Sequence, residues 1–486
     1  MTVRKSGKDK EIAKLKRELD KANYDLAKKK EELKSTRSEL RSLKSEKNKK
    51  KREDNKTDRG TKQITFRTAW GYKYNELVIK LAVLLRSRLP ICGSRSIVII
   101  LEILNECFKG ELFDSIPCNQ VIEDWCEKAG LDMHTKVKDQ FIDQEYITIT
   151  DESISVGKQK LLLQLAVPAD RTGKPLSHSD VDIVGMSVSP SWTGDSVKAE
   201  MEKTSKSIGR KPLYSISDNG YNLCNACRDA GIPHHRDISH TFGTILNKYF
   251  SDSADFKEFT TAMEKKRLTY QLTDKAIVLP PKQRAIARFM NTFIWVKWAH
   301  KLLDGYDRLT DEQKEAARFM LDNKDLIEEL NSIRKCMEYV EMRCKNDGLS
   351  KELARFLIWR ITVDLITPKD GTKRMRNVGI DMFVYLQEEC RLLQSETDVH
   401  IISSDIIESC FGVFKAMKSP DKLCGVTKHA LVLPLAISFI SEKRRESFDF
   451  IAAMENVHYK DLDEWAGFNL YGNPTQERKD LTRKIG

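Results

Sequence analysis

The sequence predicts an α/β fold that is interrupted by an all-helical insertion and preceded by a coiled coil and a small helical domain. Three observations lead there. From Tyr146 the apolar pattern changes from helical spacing to alternation. Strand and helix patterns then follow one another as far as His240. From residue 241 to 400 the spacing is helical again, before one last helix-bearing stretch. A chain of 486 residues is long enough for several such units.

The first segment, residues 1–62, is a basic coiled coil and linker. Ile12, Leu15, Leu19, Ala22, Leu26, Leu33, Leu40 and Leu43 recur at alternating spacings of three and four, with Lys29 and Thr36 in the two remaining seam positions. Neither Gly nor Pro interrupts residues 8–59. A seam of this kind joins chains, so a homo-oligomer is expected. From Lys47 to Lys62 the charges crowd into a flexible linker. Residues 1–62 hold 23 Lys and Arg against 12 Asp and Glu, which leaves 60 of each in the remainder and accounts for the whole net charge of +11. An arm this basic favours nucleic acid through counterion release, although solvated basic tails exist without a partner.

Residues 63–140 follow as a helical domain. Leu77–Leu85 and Ser96–Cys107 have helical apolar spacing. After the break at Ile116-Pro117, Asn119 is a cap, and Val121, Ile122, Trp125 and Cys126 form one stripe before Gly130. Two helices, a turn and a third helix fit a helix-turn-helix, whose last helix would enter the major groove. Three-helix domains that bind no DNA share the pattern.

The sheet occupies residues 141–245. YITITDESISVG alternates, with Asp151 in mid-run; Leu161–Val167 and Val181–Val188 are the next two strands. A helix from Ser196 to Ser207 leads to a short strand that ends on Asp218, and Asn219-Gly220 turns the chain into a helix from Tyr221 to Ala230, closed by Gly231. A second short strand ends at Asp237-Ile238-Ser239-His240. An acid at the C-terminal tip of a strand stands where α/β sheets bind ligands; the plain alternative is an Asp-Asn-Gly turn.

Residues 246–400 are read as an all-helical insertion, with apolar stripes in Arg284–Leu303, Asp311–Asn323, Leu326–Cys344, Ser350–Leu365 and Ile380–Leu393. The sheet domain resumes at 401–450. There the helix Asp405–Met417 carries Asp405, Glu408, Gly412 and Lys415 near one face, and a further apolar helix follows Pro434. Residues 451–486 look like a polar tail.

Three strands, helix, strand, helix, strand is the element order of an RNase H-like sheet. TITDESISVGKQKLLLQLAV, YSISDNGYNL with the following Asp237-x-x-His240, and SSDIIESCFGVFK resemble the three acidic motifs of DDE transposases of bacterial insertion sequences. The helical stretch before the last acid and the Asp-x-x-His signature are similar to hAT and Mutator-like members. The resemblance covers about residues 146–250 and 400–420, and the long spacing from Asp218 to Glu408 departs from short-spaced members. It implies an RNase H-like catalytic domain, catalytic and metal-binding roles for Asp151, Asp218 and Glu408, and auxiliary roles for Asp237 and His240. Magnesium is the implied cofactor, with manganese as the alternative. Double-stranded DNA, as element ends and target, is the implied partner. The residues fit that chemistry: hard Mg²⁺ prefers carboxylate oxygen, and an ion pair about 3.5–4 Å apart activates the attacking oxygen and stabilises the leaving one. Lys158, Lys160 and Lys415 are candidates for the DNA backbone.

Each of these residues has a plainer reading. Asp151 has polar neighbours that would suit an exposed strand face. Asp405-x-x-Glu408 resembles a capping box. Cys224 and Cys227, near His234 and His235, suggest zinc, but cysteines one helical turn apart suit core packing better. Trp295, Trp298 and Trp359 are core candidates, with stacking on an unpaired base as the alternative. Eleven cysteines without a framework suggest reduced thiols in a cytoplasmic, nucleoid-associated setting. No apolar run is long enough for a bilayer, and the basic start lacks the apolar core of a signal peptide. Two other functions compete: a different RNase H-like nuclease or integrase, and a domesticated, non-catalytic DNA-binding protein. The heptad seam predicts that deleting residues 1–60 lowers the oligomeric state in light scattering while the body stays folded; an unchanged mass per particle would refute it.

Overall fold

The computed structural model describes residues 66–156, 159–281, 292–417, 425–472 and 481–485; the coiled coil, the linker and Lys158 lie outside them. Three helices come first, α1 (Glu76–Arg88), α2 (Ser94–Cys107) and α3 (Asn119–Lys136). The sheet follows: β1 (Tyr146–Val156), β2 (Gln159–Pro168), β3 (Asp182–Ser189), α4 (Gly194–Ile208), β4 (Ser215–Ser217), α5 (Tyr221–Ala230) and β5 (His234–Arg236). Its five strands run in the order β3-β2-β1-β4-β5. Here β1–β2 and β2–β3 are antiparallel hairpin partners, whereas β4 and β5 join through helical crossovers and run parallel to β1.

Alternation along the strands sends side chains to two different cores. Ile147, Ile149, Leu161, Leu163 and Leu165 face a large core shared with α1–α3 and with helices from the last part of the chain. Leu162 points the other way, onto Val197 and Met201 of α4 and Leu223, Ala226 and Cys227 of α5. This buried place of Cys227 favours packing over zinc.

The helical stretch begins earlier than its apolar pattern suggested. Asp237 to His240 are not the end of a strand: Asp237 is the N-cap of α6 (Ile238–Phe250). Then come α7 (Ala254–Tyr270), α8 (Thr292–Asp304), α9 (Asp311–Ala317), α10 (Phe319–Asp322), α11 (Lys324–Asp347), α12 (Lys351–Ile361) and α13 (Lys373–Cys390). They enclose a second core running from Ile238 to Ile402, with α6 as a full member. Trp295 is buried in it, Trp298 packs at its margin, and Trp359 is exposed. The chain returns through α14 (Asp405–Met417), α15 (Val432–Ser438), α16 (Glu442–Ser447), α17 (Phe450–Asn456) and α18 (Tyr459–Asn469).

Two expectations are corrected. The third helix, α3, is sunk into the core over most of its second half and is not a surface-mounted recognition helix. Ile122, Trp125 and Cys126 are buried, and so is every residue from Lys128 to His134, because α3 is packed against α1, α2, α15 and α17. Residues 66–140 are therefore part of the large core and not a separate recognition module. The tail is not wholly polar either: Ile451, Ala453, Met454, Leu462 and Trp465 enter the same core. A helix as short as α17 offers too few turns for periodicity to be read. Among the described residues, no helix is long and apolar enough to cross a membrane.

Gly130 shows how closely α3 is held. A Cβ there would run into the backbone carbonyl of Leu431, whereas one at Gly467 in α18 would meet nothing within 4 Å. Gly130→Ala should destabilise the protein by about 1–3 kcal/mol or more through overpacking. Gly467→Ala should be neutral or stabilising by up to about 1 kcal/mol from helix propensity. Urea unfolding of both variants checks this, and equal effects would contradict the close approach.

Candidate functional site

Asp151 and Asp218 meet because of register. β1 and β4 pair in parallel with Thr148 opposite Ser215 and Ile149 opposite Ile216. Two residues further along each chain stand Asp151 and Asp218, level with one another across a strand spacing of about 4.8 Å. Asp151 shares the face of Ile147 and Ile149, which α14 covers. Beyond β4 the Asp218 carboxylate folds back and accepts the Gly220 amide at 2.8 Å. Gly220 has an ordinary φ of −58°, and its glycine serves clearance: a Cβ would lie 2.8 Å from that same carboxylate oxygen. The Asn219 amide donates to Thr241 Oγ1 at 3.3 Å, tying the loop to α6.

The third acid arrives from far along the chain. Glu408, one turn into α14, lies 3.3 Å from His240 Nε2 through its Oε1. The capping-box reading of Asp405-x-x-Glu408 does not hold. Asp405 is already the first residue of the helix, and its carboxylate is bonded to Lys345 and Ser239.

Asp237 holds the two helix starts together. Fully buried, it accepts the His240 amide at 2.6 Å through Oδ1 and the Ser404 amide at 2.6 Å through Oδ2. One carboxylate thus caps α6, which carries His240, and fastens the segment leading into α14, which carries Glu408. Burial raises its pKa, and the two amides oppose that rise. Its role is to position the others.

The electrostatics mark these side chains as one group. The Asp151 carboxyl is pushed up to about 7, first by burial and then by the charge of Asp218. The Glu152 amide, which donates to it at 2.7 Å, opposes the rise. His240 also pulls it down and Glu408 pushes it up, so all four lie within electrostatic reach. His240 is raised to about 9, chiefly by its hydrogen bond to Glu408; burial opposes this, and Asp237 and Asp218 add to it. An imidazolium therefore sits among the carboxylates at neutral pH.

The expected lysines divide. Lys160 is not at the site: β2 turns its side chain to the face of Leu162, opposite to Asp151, where it pairs with Glu152 at 2.8 Å. Successive strand residues alternate faces, so no rotamer brings it back. Lys415 is exposed on α14, seven residues and about 10 Å along the helix from Glu408. Between them Gly412 faces open space.

A polar knot that was not anticipated from the sequence locks the return of the chain. His235 Nδ1 lies 2.8 Å from Glu389, and its Nε2 lies 2.8 Å from His400 Nδ1. Arg236 donates to Glu389 at 2.8 Å, Tyr385 donates to the Arg236 carbonyl at 2.8 Å, and Tyr214 stacks on His400 at 4.2 Å. Burial, with His235 beside it, holds His400 down to about 4. Both rings are then satisfied if His235 donates to Glu389 and His400 donates to His235. His-His next to a strand carries no signal for a glutamate more than 150 residues away.

Carboxylate oxygens suit a hard divalent cation, and a cation would offset the negative charge that raises Asp151. As they stand, no three His, Cys, Asp or Glu side chains among the described residues converge on an ion-sized site. No protein-family model matches this chain, and no curated protein matches it in sequence.

Asp151 makes a test in the ion-free protein. A carboxyl raised in the folded state opposes folding once pH exceeds its unfolded value near 4, and the whole penalty is present above about 7. Asp151→Asn should therefore raise the melting temperature more at pH 8 than at pH 5, with an effect on the order of a few kcal/mol at most. Thermal melts at both pH values check it; a gap that does not depend on pH would refute the raised Asp151 carboxyl.

Proposed function

We propose that the chain is a DNA transposase whose RNase H-like domain cleaves and joins DNA strands with divalent metal. One observation carries this reading. Asp151 in mid-strand, Asp218 at the tip of the neighbouring strand and Glu408 on a covering helix share one site with His240, although the last acid follows a long helical stretch. A five-stranded sheet with β1 at its centre and two antiparallel hairpins on one side supports the RNase H-like assignment.

Asp151, Asp218 and Glu408 would hold the metal, which when bound supplies activation of the attacking oxygen and stabilisation of the leaving one. The chain's own residues do the rest. Asp237 sets the distance between the two helix starts, and His240 holds Glu408 while carrying positive charge. That charge also suits a phosphate entering beside the acids. Lys415, exposed beyond Gly412, is the candidate for the DNA backbone. With Lys128–His134 of α3 buried in the core, recognition of DNA ends is assigned to other surfaces or to the basic residues 1–62. Self-association through the heptad seam completes the reading.

The non-catalytic, DNA-binding alternative draws on a single observation, that the described acids do not already converge on an ion. Glu408→Gln separates the two. The transposase reading expects a folded, DNA-binding variant with cleavage and joining reduced by at least about a hundredfold, as for Asp218→Asn. Gel assays of strand nicking with Mg²⁺ check this. Near-normal activity in Glu408→Gln beside an inactive Asp218→Asn would remove Glu408 from the site. Inactive wild-type protein under all conditions would favour the non-catalytic alternative.

A further inference from the structure

The start of α14 is gripped from α11 as well as from Asp237, the cap of α6. Lys345, near the C-terminal end of α11, bonds to both Asp405 and Glu341. Ser239 donates to Glu341 at 2.6 Å and also lies 3.2 Å from Asp405 Oδ1. The knot thus holds one residue from the first turn of α6, one from the first turn of α14 and two from α11. Its outward neighbours are the site: His240 follows Ser239, and Glu408 stands one turn after Asp405. Lys345 is largely covered, with 19% of its side chain exposed. Burial works against its charge, but Asp405 and Glu341 outweigh that effect and its pKa is raised.

Charge and geometry both matter in this knot. One ammonium between two carboxylates leaves a single net negative charge, and the one Ser239 hydroxyl hydrogen goes to Glu341, the nearer carboxylate. Without the ammonium, Asp405 and Glu341 would face each other across Ser239 and repel, and the shortest route to relief is to move the first turn of α14. That turn carries Glu408. The backbone that precedes it is held by Asp237 through Ser404 and by the Ile402 carbonyl, which accepts the Ile238 amide at 3.1 Å. Those bonds fix the approach to the helix, whereas Lys345 fixes the helix itself.

We propose that Lys345 is a positioning residue, through which the helical stretch sets the place of Glu408 over the Asp151–Asp218 pair. This inference rests on the transposase reading for its effect on cleavage, but not for its effect on the helix. Displacing a catalytic group by about 1 Å costs up to a hundredfold in rate. Lys345→Met should therefore lower kcat for nicking by about tenfold to a hundredfold, with KM for DNA unchanged. Asp405→Asn should do the same, and the double variant should be no worse than the worse single one, because both remove one contact. Lys345→Arg keeps a charge that reaches both carboxylates and should recover most of the rate.

Hydrogen exchange on the metal-free full chain provides the second readout. The amide of Ile407, bonded to the Ser404 carbonyl in the first turn of α14, should exchange about tenfold faster in Lys345→Met, the equivalent of one charge-assisted hydrogen bond, while the Ser404 amide, held by Asp237, keeps its rate. Wild-type kcat in a folded Lys345→Met variant, or losses that multiply in the double variant, would overturn the proposal. Unchanged exchange at the Ile407 amide would overturn it without reference to activity. Wild-type protein that never nicks DNA would overturn the functional reading alone, and the exchange result would then decide the strut.

Discussion

A buried carboxylate with two amides to satisfy is the constraint on which the rest depends. Asp237 has no access to solvent, so each of its oxygens needs a donor, and the two donors come from chain segments far apart in sequence. Meeting that need brings the beginning and the end of the helical stretch together at the edge of the sheet. The His235–Glu389–His400 chain and the pairing of Leu349 with His400 reinforce the same seam. The second core can therefore grow between two neighbouring residues of the sheet domain without pulling the acids apart. Such an arrangement tolerates a long insertion, because only its two ends are held in place.

The site is electrostatically unfavourable to the chain that builds it. Three acids lie within electrostatic reach of one another, and burial together with the charge of Asp218 resists the ionisation of Asp151. His240 offsets part of this from within, as an imidazolium beside Glu408. Unrelieved charge of this kind is common where a protein is arranged for a cation or for proton chemistry, and less common in structural ion pairs, which arrive already matched. Contrast Arg374, which is fully answered by Asp255 and Glu329, or Arg444, which lies against Asp182. Those pairs hold helices together and leave nothing over for a ligand.

Much of this was visible in the residues themselves. Alternation in YITITDESISV places Asp151 on the face of Ile147 and Ile149, and a strand that ends on Asp218 puts the second acid at a sheet rim. The helix carrying Glu408 runs from Asp405 to Met417, as its apolar spacing indicates. Where the reading failed, the cause was a missing neighbour. The stripe on α3 looked like one buried face of a surface helix, but from Lys128 to His134 every face is buried, with α15 and α17, which lie some three hundred residues later, packed against the helix. Lys160 looked like a free cation near Asp151 until pairing of β1 with β2 set its face and gave it Glu152. Asp237 and His240 read as the end of a strand because three residues of β5 are too few to show where alternation stops.

By itself, the sequence determined the local periods, and with them the strands, most helices, the faces of Asp151 and Leu162, and the excess charge of residues 1–62. These follow from interactions among residues a few positions apart, which is the range that spacing can report. Only the tertiary structure decided which acid on α14 turns to the site. Asp405 and Glu408 lie on the same helix face, one turn apart, and either carboxylate could have served. Lys345 and Ser239 claim Asp405 from the helical stretch, and His240 takes Glu408. A choice made by partners from 60 to 168 residues away leaves no trace in local spacing, because contacts at that range are selected by how the two cores close against each other.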